Sequence, residues 1–194
     1  MSVRSNEMKM SSVAGHTIAA AALVAAFGVE LLGVPSCSVA SDASALALRR
    51  VDRLVARGQF AEALPLALDN RARYPTEGAA AWQLARVYEG LGTPGEEAAA
   101  WEVYLRQAEP AGDVCLRLSD VYHQLAQPMQ VVATVNRCLA LDDRQPELLG
   151  DLAAAYLELG DRSAAVAALA RALAIDPGHP QFRAQLRNLE GVGR

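Results

Sequence analysis

The sequence predicts an all-α fold: a solenoid of about four helical hairpins followed by a C-terminal capping helix. Three observations carry that expectation. Gly58, Gly92, Ala126 and Gly160 stand 34 residues apart, and so do Leu54, Tyr88, Tyr122 and Tyr156. Inside each block of 34, the apolar residues recur at offsets of three and four, which places them on one face of a helix. Glycine and proline fall where one helix has to stop and the next begin. A fixed period of this length marks a stack of hairpins in which each unit packs only on its neighbours.

The blocks run 44-77, 78-111, 112-145 and 146-179, with residues 180-190 as the capping helix. The seventh place of each block holds Arg50, Leu84, Leu118 and Leu152, and the eighth Val51, Ala85, Ser119 and Ala153. The twenty-fourth holds Ala67, Trp101, Val135 and Leu169, and the twenty-eighth Arg71, Leu105, Leu139 and Leu173. Block one is the least regular, with Arg50 and Arg71 at otherwise apolar places. Its Pro65 falls within the expected second helix and should kink it or delay its start. In block two, Thr93-Pro94-Gly95-Glu96 reads as an N-cap, a first-turn proline and a capping-box glutamate. Pro128, Pro146 and Pro180 suit the same first-turn position, where a missing N–H costs little. In the closing segment, Phe182, Leu186 and Leu189 oppose Arg183, Arg187 and Glu190, an amphipathic helix with a polar outer side.

These residues resemble the tetratricopeptide repeat, whose pattern is W-x2-L-G-x2-Y, then A-x3-F, then P. The last block matches it best, with Leu149-x2-Leu152-Ala153-x2-Tyr156, Ala165-x3-Leu169 and Asp176-Pro177. The second block carries Leu84-Ala85-x2-Tyr88, with Trp101 at the aromatic place of its second helix. The resemblance implies a right-handed superhelix whose first helices line a concave groove. Carried over residue by residue, that groove would include Leu48, Asp52, Trp82, Arg86, Glu89, Leu116, Asp120 and His123. Trp82 lies one place from the usual signature position, so it reads either as a displaced packing residue or as a groove residue. Trp82 and Arg86 are one helical turn apart and of the types that dominate binding hot spots.

Composition narrows the function. Charged residues make up 21% of 194 residues and the formal net charge is −4. This balance does not supply the basic stripe expected of a nucleic-acid binder. The three histidines are scattered, and no C-x2-C or H-E-x-x-H is present, so neither a metal site nor a cofactor is expected. Pairs such as Glu96-Glu97 and Asp142-Asp143 sit in or beside turns and read as solvated charge, so no enzyme is expected. Cys115 and Cys138 fall inside block three. They are expected as buried thiols acting as small hydrophobes, with a disulfide between the helices of one hairpin as the alternative.

The first forty residues form a separate segment, 1-40, read as a signal peptide or an N-terminal membrane anchor. A weakly basic start, an uncharged stretch from Thr17 to Val29 and Ser38-Val39-Ala40 suit cleavage before Ser41. Uncleaved, the apolar stretch (residues 17-34 at its core) would associate with a membrane, Glu30 being the costly residue. Val34-Pro35-Ser36-Cys37 also resembles a lipobox, which would make the chain a lipoprotein at Cys37. Charge does not decide the orientation of an anchor, but export is the expectation, to the periplasm or another extracytoplasmic site. The expected function is a protein-interaction scaffold of the cell envelope that holds a partner's peptide or helix. The alternative is an accessory subunit holding a catalytic partner in a pilus, secretin or polysaccharide export complex.

Overall fold

The computed structural model describes residues 37–108 and 112–191, with side chains from residue 43 onward. The described residues belong to one compact unit, Pro35–Arg194. They form α-helices and no strand: α1 (Cys37–Ala56), α2 (Phe60–Arg73), α3 (Gly78–Leu91), α4 (Pro94–Gln107), α5 (Gly112–Gln124), α6 (Pro128–Leu139), α7 (Pro146–Glu158), α8 (Arg162–Ile175) and α9 (Pro180–Gly191). Successive helices pack in antiparallel pairs, α1–α2 through α7–α8, and each pair packs on the next. Helix α9 closes the stack against α8. The fold is therefore an all-α solenoid of four hairpins and a capping helix.

The apolar period becomes one continuous core. Val51, Ala85, Ser119 and Ala153, at the eighth place, are each buried to 1% exposure or less. Their small or compact side chains let the first helix of each hairpin approach the second closely. Ala67, Trp101, Val135 and Leu169 fill the space from the other side, all buried. Phe60 lies over Gly90, where an added Cβ would fall 2.3 Å from the ring. Phe182 of α9 lies over Gly150 in the same way.

The hairpin turns repeat in atomic detail. The amide of the residue after each turn bonds back five residues: Gln59 to Leu54 O (2.9 Å), Thr93 to Tyr88 O (3.1 Å), Gln127 to Tyr122 O (2.9 Å) and Asp161 to Tyr156 O (2.8 Å). The turn residue itself bonds back three, as Gly58 does to Val55 O and Ala126 to His123 O. This is the Schellman closure, and it requires a left-handed residue. Gly58, Gly92 and Gly160 supply φ of +72°, +68° and +78°, and Ala126 adopts +52° despite its Cβ.

Three sequence expectations are corrected. Pro65 does not delay α2, which starts at Phe60 and carries the proline as its sixth residue. A proline so near the N-terminus forfeits only a bond to the first turn. Thr93 makes no side-chain cap bond, and its hydroxyl is buried without a partner, so the capping box does not form. Pro94 does begin α4, as Pro128, Pro146 and Pro180 begin α6, α7 and α9. Cys115 and Cys138 are not free thiols. They form a disulfide between α5 and α6, with Cα atoms 6.3 Å apart and both residues buried.

Residues 1–36 of the expected targeting segment, 17–34 among them, lie outside the described residues. Helix α1 begins at Cys37, so a cut before Ser41 would fall within its first turns. Among the described residues, no helix is long and apolar enough to cross a membrane.

Candidate functional site

The first helices of the hairpins, α1, α3, α5 and α7, follow one another along one face of the stack. α1 packs directly on α3, and α5 on α7. α3 and α5 lack this close packing, and a cleft of about 330 Å³ opens between them. Trp82, Arg86 and Glu89 of α3 form one wall, Asp113, Val114 and Arg117 of α5 the other, and Trp101 of α4 lines it as well. A second hollow, of about 310 Å³, lies on the opposite side of Trp82 and Arg86. It is lined by those two residues with Asp52, Val55 and Ala56 of α1. Trp82 and Arg86 thus stand as a ridge between two depressions.

The ridge is held by charge and by π contact. The Arg86 guanidinium lies 5.2 Å from the centre of the Trp82 ring. Its Nε also pairs with Glu89 Oε2 at 3.0 Å. Arg117, from the next repeat, pairs with the other oxygen of Glu89. Two arginines from two repeats therefore converge on one carboxylate across the cleft. Arg117 also approaches Glu97 at 4.0 Å. Glu97 is buried and accepts the Trp101 indole N–H at 3.2 Å. Burial holds its carboxyl above the ordinary carboxylate range, and the indole bond opposes that rise.

The other expected groove residues are distributed along the same helices. The Leu48 carbonyl accepts from Gln83 Nε2 at 2.8 Å, and Asp52 Oδ1 accepts from the same nitrogen at 2.6 Å. Leu116 is half-buried against the core. Asp120 is exposed, and His123 Nδ1 lies 3.0 Å from Glu158 Oε1. Beside them, burial pushes the Asp151 carboxyl up, and the Asp120 and Glu147 charges add to the rise. The Ser119 hydroxyl and the His123 charge oppose it. The structure thus gathers Asp52, Trp82, Arg86 and Glu89 around the ridge, and sets Asp120 and His123 in a separate group with Ser119 and Asp151.

Sequence reasoning missed Gln83, Arg117 and Asp151, which share the sixth place of their blocks. Each reaches back to the preceding repeat: Gln83 to Asp52, Arg117 to Glu89, and Asp151 to the Ser119–Asp120–His123 group. The sixth place is polar in every block (Arg49, Gln83, Arg117, Asp151), one step from core leucines. That regularity was a readable signal of an inter-repeat polar seam.

Among the described residues, no cluster of three or more His, Cys, Asp or Glu could hold a metal ion. The arrangement is a face of ridges and hollows with paired and unpaired charge, suited to recognition.

A stack of helical hairpins in which each pair packs on the next is a repeat solenoid. Residues 130–189 match the Tetratricopeptide repeat family model. Among solved structures, a MamA protein superposes with a TM-score of 0.69 at 16% identity, covering 79% of this chain and 84% of that one. MamA 41-end from Desulfovibrio magneticus RS-1 gives 0.65 at 15% identity, covering 77% and 85%. YrrB, a TPR protein with an unusual peptide-binding site, gives 0.63 at 18% identity, covering 76% of each chain. At these identities the likeness is one of fold. No curated protein matches the chain significantly.

Proposed function

We propose that the protein is a non-catalytic interaction scaffold of the cell envelope, which holds a peptide or helix of a partner protein against the face formed by α1, α3, α5 and α7. The observation that carries this reading is the Trp82–Arg86 ridge between two hollows of about 310 and 330 Å³. Binding hot spots are built from such residues set in depressions that shed water on contact. An extended segment would cross the ridge and place a side chain on each side. The peptide-binding site of YrrB, a protein of the same fold, supports the reading by analogy.

The envelope assignment draws support from the Cys115–Cys138 disulfide, because such bonds persist in oxidising compartments. It also rests on the export signals read in residues 1–40, in their cleaved, anchoring or lipidated form. Intact mass of the native protein from fractionated cells separates these. A mass matching Ser41–Arg194 in the soluble envelope fraction is the expected result. A full-length chain in the cytosol would refute export.

The binding reading is tested by placing a photo-crosslinking residue at Trp82, and separately at the exposed Ala133 of α6, in cells. Adducts are expected from the first and not from the second. Equal labelling at both, or at neither, would remove the face from the function.

A further inference from the structure

We propose that the furrow between α2 and α4 is a second docking surface, which takes the aliphatic side chains of an amphipathic partner helix. It is separate from the Trp82–Arg86 ridge. Leu84 and Tyr88, which floor it, stand two places from Trp82 and Arg86, about 200° round α3. α2 and α4 both pack on α3 and not closely on each other, and a hollow of about 290 Å³ opens there. Ala99, Ala100 and Val103 of α4 form one wall, Arg71 of α2 stands opposite, and Glu96 also lines it. The repeat itself shows what the hollow lacks. The twenty-eighth place holds Leu105 and Leu139 in the next two hairpins, both buried in the core, and Leu173, partly buried against it, in the fourth. The first hairpin has Arg71 there, its guanidinium held by the Pro75 carbonyl at 2.6 Å. The volume that a leucine fills elsewhere is open here to an aliphatic group from outside.

A second, independent difference lies beside the hollow. The next furrow, between α4 and α6, is bridged: Arg137 of α6 pairs with Glu102 of α4 at 3.1 Å, and the Tyr122 hydroxyl of α5 donates to the same carboxylate. One repeat earlier, the places of Glu102, Arg137 and Tyr122 hold Leu68, Val103 and Tyr88. Leucine and valine form no such bridge. Leu68 is instead 44% exposed, with Val103 half-buried. Apolar side chains from both helices therefore flank an apolar hollow. A helix docks on such a furrow through leucines one turn apart on one face.

Charge at the two ends completes the description of the occupant. Glu96 belongs to the first turn of α4 and Arg71 to the last turn of α2. Short turns set α2 and α4 both antiparallel to α3, so they run alongside each other in one direction. The furrow thus carries a carboxylate toward one end and a guanidinium toward the other. Neither group has an ion pair among the described residues, whereas the neighbouring Asp69 and Arg73 pair with each other. A helix whose leucines are flanked by a basic residue on one side and an acidic residue on the other meets opposite charge at both ends.

The test uses the full, disulfide-bonded chain and two fluorescein-labelled helical peptides of alanine, lysine and glutamate. One carries a pair of leucines one turn apart, between a lysine end and a glutamate end, and the other carries serines in their place. Anisotropy is expected to show the leucine peptide binding at least tenfold more tightly, the scale of burying one aliphatic side chain. Leu68→Glu with Val103→Arg rebuilds the bridge of the next furrow and should weaken the leucine peptide about tenfold. Arg71→Leu supplies the hollow with a leucine of its own, so it should raise the Tm and weaken binding to a similar degree. Leu141→Ser, at a leucine 66% exposed in the turn after α6, should leave affinity unchanged. Circular dichroism checks that each variant is folded, and Leu68→Ser alone replaces the double variant if that one is not. Equal loss in Leu141→Ser and the furrow variants, or loss in none, would mean general apolar adhesion and would overturn the site. Failure of the leucine peptide to bind, or equal binding of the serine peptide, would overturn it as well. A Tm that does not rise in Arg71→Leu would overturn the reading of the hollow as a missing leucine. The crosslinking at Trp82 reports on the other face, so either surface can fail without the other.

Discussion

Ala126 shows what one atom group costs in a repeated turn. Three of the four Schellman closures use glycine, and the fourth holds an alanine at φ +52°. For an L-residue with a Cβ, that region costs about 1–2 kcal/mol, partly offset by the lower entropy alanine loses on folding. Ala126→Gly is therefore expected to stabilise the protein by roughly 0.5–1 kcal/mol, and Gly58→Ala to destabilise it by about 1 kcal/mol. Urea midpoints at constant m-value check both.

Asp151 offers a second test at this scale. Its folded pKa is raised, chiefly by burial. The native state therefore holds the proton to higher pH than the unfolded chain. The stability associated with that proton is present at acid pH and is lost as pH rises through the folded value. Asp151→Asn should raise the Tm at neutral pH, with the gain shrinking toward pH ~4, the ordinary aspartate value. A gain independent of pH would contradict burial of charge as its cause.

At the scale of the element, helix capping separates α8 from α2, α3, α4, α6 and α7. Asp161 accepts the Ala164 amide at 2.9 Å and the Ser163 hydroxyl at 2.8 Å. No comparable side-chain bond caps α2, α3, α4, α6 or α7. These bonds lower the Asp161 pKa, so their stabilisation is present above the unfolded aspartate value and is lost as pH falls through the folded one. Asp161→Ala should lower the Tm at pH 7, and the difference should vanish in acid.

The helices themselves were legible because period, glycine and proline act locally. The Trp82–Arg86 ridge was half legible, since spacing on one helix put the two residues together. The hollows beside it were not, because they depend on how far α3 stands from α1 and from α5. The disulfide was undecided for the same reason: spacing of 23 in sequence does not fix a Cα separation of 6.3 Å. The Thr93 capping box failed because an S/T-x-x-E string is satisfied by many backbones, and here the N-cap hydroxyl is buried away from the N3 amide's bonding geometry.

At the scale of the whole stack, stability is a sum of hairpins and the junctions between them. The junction between the second and third repeats lacks close α3–α5 packing. In its place charged side chains cross it. Arg117 reaches Glu89 and Glu97, Arg137 of α6 reaches Glu102 of α4 at 3.1 Å, and the Tyr122 hydroxyl reaches the same Glu102. Arg117, Tyr122 and Arg137 all belong to the hairpin that the Cys115–Cys138 disulfide ties together. Closing that loop of 23 residues is worth about 3 kcal/mol by chain entropy. The bond thus steadies both helices that present charge to the preceding repeat. Cys115→Ser with Cys138→Ser is expected to cost about 3 kcal/mol in urea unfolding monitored by circular dichroism, and to make the transition more sensitive to salt. The reduced wild-type chain should behave alike. An unchanged midpoint would mean that the third hairpin and its junction stand on apolar packing alone.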